Sequence, residues 1–526
     1  MNENIKPNIL EIYDIGQQVD KLQDLYIDAK ALSPNIIQAI QPLESYFNKP
    51  IMYSEDLDYQ TIYFYTKANY LTVLLGIAHK ELDGLKEKVV SFQKYESYEK
   101  MHFDLLLSRL TFMRASTASY AQNPNTLISK HWIAQVHTNL ANLYLESGRI
   151  LESLEELESV KFQIEMAMGN YGGKLYELAQ HSLDKSEQKE LLVDALNHFK
   201  LATLHGKNDN YKHPAAYDGF CTAQTYIQEV LESDEYSEIS IYTDIPDDYY
   251  KDLEIKDNLY RKWCRDNKLA LSFRNIVKLH SKTDDIHLPN LGISYFSRDD
   301  TLSYYSWFNT IKQEFNMARY LLFELENNTY EADEVHPSQQ DILLINTLDY
   351  PAIGYRTEQL KLSLKTAYGV LDKIGLLCSD FVGGTHSEVS RISFTSWFKG
   401  LEKEIALHSE FASLYWLAQD LDFKNGSFKT FRKLRNVVEH RFLRVLDHAG
   451  TPIETELEDT NKLEYKIAYN DLYEQTLKVI KLVRNAIIYL VFAFNDCYTS
   501  SMTDKKNTDK IFIPLHLDIY EDEWKN

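Results

Sequence analysis

A chain of 526 residues, 44% hydrophobic and 25% charged, has the composition of soluble globular protein and room for two to four domains. Only 18 Gly and 12 Pro, with few alternating apolar runs, exclude a β-rich fold and point to the all-α class, while the net charge of −22 makes any local basic cluster informative. The longest apolar run, near Ile487–Phe494, is too short to cross a bilayer, and Cys221, Cys264, Cys378 and Cys497 lie too far apart for a metal or CxxC spacing. The expectation is a cytoplasmic protein with reduced thiols, no membrane partner, no metal and no cofactor.

Residues 1–130 read as helices separated by weak turns, closed by Asn123-Pro124-Asn125. From His131 onward the spacing sharpens. Leu140, Ala141, Tyr144, Gly148, Ser153, Leu157 and Val160 alternate small and large residues across two helices and a glycine turn, and Ala195, Phe199 and Ala202 repeat the ladder about 42 residues later. This pattern resembles TPR repeats, with the excess length placed in a polar loop at 183–190. Small residues let paired helices approach closely, and each pair buries its outer face against its neighbours. A TPR-like helical-repeat domain is therefore expected over residues 1–235, its concave face binding a protein or ligand partner.

Residues 231–257 hold ten Asp or Glu with little helical period, and 236–256 read as an acidic linker. Amphipathic helices then follow at about 303–328, 356–382, 400–420, 427–447 and 463–496. In the second of these, Leu360, Leu364, Ala367, Leu371, Ile374 and Cys378 form one stripe. Such helices pack as an antiparallel bundle, expected over 257–500, with 501–526 as a C-terminal tail. Polar loops are expected at 281–300 and 328–354.

The most informative stretch is 429–444. Phe431, Leu434, Val438, Phe442 and Val445 recur at helical spacing, within roughly 40° of one line on a wheel of about 100° per residue. Arg432, Arg435, Asn436, Glu439 and His440 fill the arc beside it. Six of these sixteen residues are Lys or Arg and only Glu439 is acidic, so an anionic ligand is the natural explanation.

The spacing Arg435-Asn436-x-x-x-His440 resembles the Arg-x(4–6)-His motif of the HEPN superfamily, whose common form has a polar residue, often Asn, after the Arg. The stretches Tyr260–Arg265, Phe315–Tyr320, Leu371–Ile374 and Leu414–Leu417 resemble a TPR-associated HEPN branch, so the resemblance covers about residues 250–450. It implies a HEPN-like bundle that dimerises so that two motifs face one cleft, and a metal-independent endoribonuclease of toxin or antiphage-defence type gated by its TPR-like half. Arg435, Asn436 and His440 are then the catalytic set. Lys429, Arg432, Lys433, Glu439, Arg441 and Arg444 are the flanking RNA-binding set, and Leu443 suits the seam of the homodimer.

The residue chemistry fits RNA cleavage by the substrate's own 2′-OH. Histidine accepts or donates a proton near neutrality, and the arginine fork matches phosphate oxygens. Asn436, one turn before His440, is placed to orient the imidazole or a phosphate oxygen. No Gly-rich phosphate loop, GxSxG elbow or HExxH pair is present. Arg274-Asn275 with His280 is a second formal match, at the end of a helical segment. Asp372 and Lys373 are adjacent, so they do not face each other, and read as solvated residues or as polar support for the site. The rival readings are a non-catalytic TPR scaffold, an RNA- or nucleotide-binding HEPN protein, and a plain surface helix with an Arg435–Glu439 pair.

Overall fold

The structure, a computed structural model, describes residues 7–28, 34–51, 55–86, 92–204, 214–239, 255–276, 284, 286–289, 291, 298–327, 335–382, 393–400, 410–422, 428–447, 463–503 and 517–518. Apart from two five-residue strands these residues build helices and their connections, so the class is all-α. They fall into two compact units, one ending at residue 239 and the other starting at residue 255. None of the described helices is long and apolar enough to cross a membrane.

The first unit contains α1 (Pro7–Asp28), α2 (Pro34–Phe47), α3 (Leu57–Lys86), α4 (Phe92–Ala121), α5 (Lys130–Glu146), α6 (Ile150–Glu158), α7 (Glu165–His181), α8 (Lys185–Thr203), α9 (Pro214–Glu232) and the single turn α10 (Asp234–Ser237). From α3 to α9 each helix packs on the next in the chain, a repeat-like arrangement. The ladder residues Leu140, Ala141, Tyr144, Ser153, Leu157, Val160, Ala195, Phe199 and Ala202 are all buried. Gly148 joins α5 to α6 at φ +71, a backbone conformation that side-chain-bearing residues adopt only with strain.

The expected loop at 183–190 is a helix start instead. Asp184 accepts the Glu187 amide at 2.7 Å and the Ser182 hydroxyl donates to the Glu187 carboxylate, so capping begins α8 at Lys185. Residues 236–239 also belong to the first unit. Tyr236 is buried, and Lys189 donates to the carbonyls of Tyr236 and Ile239, each at 2.6 Å. Residues 240–254, most of the acidic stretch, lie outside the described residues.

The second unit contains α11 (Ile255–Asp266), α12 (Phe273–Ile276), α13 (Arg298–Asn327), α14 (Tyr355–Phe381), α15 (Phe394–Gly400), α16 (Ala412–Asp420), α17 (Lys429–His440), β1 (Phe442–Leu446), β2 (Glu464–Ala468) and α18 (Tyr469–Thr503). Its core is α13, α14 and α18. The α14 stripe from Leu360 to Cys378 is buried as the sequence spacing requires, and α18 is buried on every side from Ala486 to Phe494. Arg319 of α13 sits in this interior, donating to both Asp284 carboxylate oxygens, the Leu269 carbonyl and the Tyr260 hydroxyl.

Three expected boundaries change. The helix placed at 427–447 ends at His440, and the one placed at 463–496 starts at Tyr469, because β1 and β2 pair in parallel from Phe442↔Glu464 to Leu446↔Ala468. The run Phe-Leu-Arg-Val-Leu satisfies both a helical and a strand period, and the long-range pairing decides between them. As a result Phe442 is largely exposed, and the buried line of α17 is Phe431, Leu434 and Val437. In the 400–420 segment, α15 and α16 flank residues 401–409, which lie outside the described residues. Finally, 335–354, inside the expected polar loop at 328–354, carries a run of exposed apolar side chains that includes Leu343 and Ile345.

Candidate functional site

Helix α17 lays Phe431, Leu434 and Val437 into the core, where it packs on α14. That docking turns Arg435 toward the α14 residues Tyr368 and Asp372. Arg435 Nη2 donates to Asp372 Oδ2 at 3.3 Å, Nη1 donates to Asn436 Oδ1 at 3.2 Å, and the guanidinium carbon lies 5.9 Å from the Tyr368 ring centre. With 31% of the Arg435 side chain still exposed, a pair of this kind contributes at most about 1 kcal/mol, so its effect is to position the guanidinium. Asp372 is itself fixed: its Oδ1 accepts the Phe394 amide at 3.1 Å, at the first residue of α15. Gly375 permits this approach, since a Cβ there would stand 2.9 Å from Phe394 Cα. Burial pushes the Asp372 carboxyl above its ordinary pKa, against the Phe394 amide and the charges of Arg435 and Arg432, with Glu439 adding to the rise. Burial likewise raises the Tyr368 hydroxyl, so it stays protonated.

His440 is the last residue of α17 and is exposed. Arg441 breaks the helix at φ −139 and ψ 179, and the Phe442 amide then donates to the Leu463 carbonyl at 3.0 Å. The strand pairing therefore leaves the imidazole exposed at the C-terminal end of the helix. Among the described residues no hydrogen bond or ion pair engages His440, so the ring is available to a ligand.

The flanking residues separate. Arg432 and Lys433 remain on α17, with the Lys433 ammonium 5.7 Å from the Tyr465 ring centre. Lys429 opens the helix, and its side chain lies outside the described residues. Glu439 pairs with Lys365 at 3.0 Å, so the Arg435–Glu439 pair of the rival surface-helix reading is replaced by two contacts to α14. Arg444 is on β1 and not on the helix, paired with Asp349 at 2.5 Å and Glu464 at 3.4 Å, which removes it from the basic face. Leu443 is also on the strand, half-buried beside a groove. Lys373 pairs with Glu314 of α13, and Asp372 is half-buried, so neither is simply solvated. Of the second match, Arg274 and Asn275 lie in the single turn α12, and His280 falls outside the described residues.

Sequence reasoning missed Tyr368 and the capping link to Phe394. A signal existed: Tyr368, Asp372 and Gly375 follow one another at helical spacing beside the apolar stripe, on a single face of α14. Among the described residues no three His, Cys, Asp or Glu side chains form a metal-ligating group.

Residues 296–496 match the family model described as LA2681-like HEPN. The matched span runs from α13 into α18 and holds Tyr368, Asp372, Arg435, Asn436 and His440; Arg274, His280 and the whole first unit lie before it. This part of the chain is thus similar to HEPN domains. No curated protein and no solved structure matches the chain.

Proposed function

We propose that the chain is a metal-independent endoribonuclease acting from the second unit. The observation that carries this is the pairing of an anchored arginine with an open histidine on α17: Arg435 held by Asp372 and Asn436, His440 exposed at the helix end. In the reaction, the substrate 2′-oxygen attacks the adjacent phosphorus as a histidine takes its proton, and the bond to the 5′-oxygen breaks as that oxygen gains a proton. The products are a 2′,3′-cyclic phosphate and a 5′-hydroxyl. Arg435, with Arg432 beside it, offsets the charge that builds on the phosphorane oxygens.

One copy of α17 supplies a single histidine, whereas this reaction uses both a proton acceptor and a proton donor. A two-fold homodimer brings a second His440 and a second Arg435 to the same cleft. Lys429, Lys433 and Arg441 then hold the RNA backbone on either side. The first unit, TPR-like in its ladder residues, binds the protein or ligand that gates the nuclease, as suits a cytoplasmic toxin or antiphage-defence protein.

The test is cleavage of a labelled RNA by the wild type and by His440→Ala, each with and without EDTA. Cleavage by the wild type in EDTA and none by a folded His440→Ala is expected. RNA binding without cleavage by the wild type would replace the nuclease by an RNA-binding role.

A further inference from the structure

We infer, on the nuclease reading above, that Phe442 stacks on the base of a nucleotide next to the cut, and that the groove beside it receives this base.

His440, Arg441 and Phe442 are consecutive and all exposed, Phe442 at 71%. The end of α17 places them there. Arg441 leaves the helix in an extended conformation, and the Leu463 carbonyl then accepts the Phe442 amide at 3.0 Å. Side chains alternate along β1, and Val445 is the buried one, so Phe442 falls on the opposite face and stays out of the core. The Cα atoms of His440 and Phe442 are at most about 7 Å apart, the scale of one nucleotide in a single strand. Among the described residues no ion pair or side-chain hydrogen bond engages His440 or Arg441, and no ring packs on Phe442. The three residues thus offer an open imidazole, an unpaired guanidinium and a bare aromatic face.

Arg441, Phe442 and Leu443 line a groove of about 730 Å³. The arm at 342–353 adds Leu344, Ile345, Pro351 and Ile353 to its wall. Of the lining cations, Lys361 pairs with Glu358 at 2.8 Å, Lys365 with Glu439 at 3.0 Å, and Arg444 with Asp349 and Glu464. A run of phosphates entering the groove would have to break these pairs, so the groove suits an uncharged occupant. Arg441, the remaining lining cation, is next to His440 in the chain. A single negative charge at that end and a neutral plane beyond it is the pattern of a nucleotide. Its phosphate lies on Arg441 and His440, and its base lies on Phe442. The strand pairing also leaves polar groups for the edge of the base. Phe442 bonds to β2, so by alternation the Leu443 N–H and C=O point away from β2, and among the described residues they have no partner. The groove therefore supplies a stacking face, a donor and an acceptor, as recognition of an unstacked base requires.

The experiment is binding of a short labelled RNA to the full chain, as wild type, Phe442→Leu, Phe442→Trp and, as an exposed aromatic control in the first unit, Phe162→Leu. The RNA carries 2′-fluoro sugars, which remove the attacking hydroxyl, and is used intact, with one base deleted at each position in turn, and as a duplex. Phe442→Leu should weaken binding of the intact single strand roughly tenfold, Phe442→Trp should bind like the wild type, and Phe162→Leu should change nothing. Deleting one particular base should weaken wild-type binding by a similar factor and leave Phe442→Leu unmoved, because ring and base are two halves of one contact. The duplex, whose bases stack on each other, should not distinguish wild type from Phe442→Leu. Equal single-strand affinities for wild type and Phe442→Leu, a base-deletion loss that is the same in both, or a loss shared by the duplex overturns the inference. So does a wild type that binds no RNA; lowered self-association of Phe442→Leu in sedimentation would then give the ring to a protein seam. Cleavage of the 2′-hydroxyl RNA by the same samples separates the base subsite from the nuclease. Base-dependent binding by a wild type that cuts nothing upholds the subsite and overturns the nuclease. Cleavage with unchanged kcat/KM in Phe442→Leu upholds the nuclease and overturns the subsite.

Discussion

Asp372 joins three helices through one carboxylate: Oδ2 accepts Arg435 of α17 at 3.3 Å while Oδ1 accepts the Phe394 amide of α15 at 3.1 Å. The two oxygens predict different consequences. Asp372→Asn keeps an oxygen for the amide but loses the charge facing Arg435. RNA cleavage should fall about 10- to 100-fold in kcat, the scale of a misplaced catalytic group, with thermal stability changed little. Wild-type kcat in Asp372→Asn would show that the carboxylate does not position Arg435.

Gly375→Ala acts on the same link from its far side. The added Cβ meets the Phe394 backbone, which has no flexible end to move away. Overpacking of this kind costs about 1–3 kcal/mol, and it displaces the amide that Asp372 accepts. Tm should drop by several degrees and cleavage should weaken with it. An unchanged melting curve would contradict the close approach of α14 and α15.

The buried stripe of α14 and the ladder across α5–α8 were legible because one repeating period decides which residues face inward. The ends of α17 were not. Phe442–Leu446 carries helical spacing as well as strand propensity, and its pairing with Glu464–Ala468 is a contact between distant parts of the chain that no local pattern contains. That one error put Phe442 in the core and Arg444 on the basic face. It did not disturb Arg435 and His440, which precede the break. The partner of Arg435 was also unreadable: Glu439 is the near acidic residue in sequence, whereas Asp372 lies 63 positions away and is nearer in space. The exposed arm at 342–353 was misread as a polar loop because Asp341, Asn346, Asp349 and Pro351 punctuate its apolar residues.

In the first unit, burial at the end of α7 pushes His181 down to about 4. The folded state thus disfavours the protonated ring, whereas the unfolded chain takes up its proton near pH 6.5. At neutral pH neither state is protonated and the residue contributes no pH dependence. As pH falls from about 6.5 toward 4, the unfolded state gains the proton first and stability declines, by up to about 1.4 kcal/mol per pH unit. Replacing the ring with a side chain that does not titrate, as in His181→Gln, should flatten the Tm profile over that window. Parallel profiles for wild type and variant would show that His181 is solvated.

A composite site that draws on both histidines also predicts that His440→Ala acts on its partner. A dimer of one wild-type and one His440→Ala subunit keeps a single histidine, so mixing the variant into the wild type should lower cleavage below the share of wild-type subunits present. Cleavage that falls only in proportion to that share, with mixed dimers shown to form by mass, would mean that each copy works with its own histidine.

The most direct measurement is the chemistry of the cut ends. Labelled RNA is incubated with wild-type protein in EDTA, in parallel with His440→Ala and with an RNA that lacks the 2′-OH at the cleaved position. Attack by the substrate's own 2′-oxygen should give 2′,3′-cyclic phosphate and 5′-hydroxyl ends from the wild type alone, and no cut at the 2′-deoxy position. Ends bearing 3′-hydroxyl and 5′-phosphate, or the same cut made by folded His440→Ala, would contradict it.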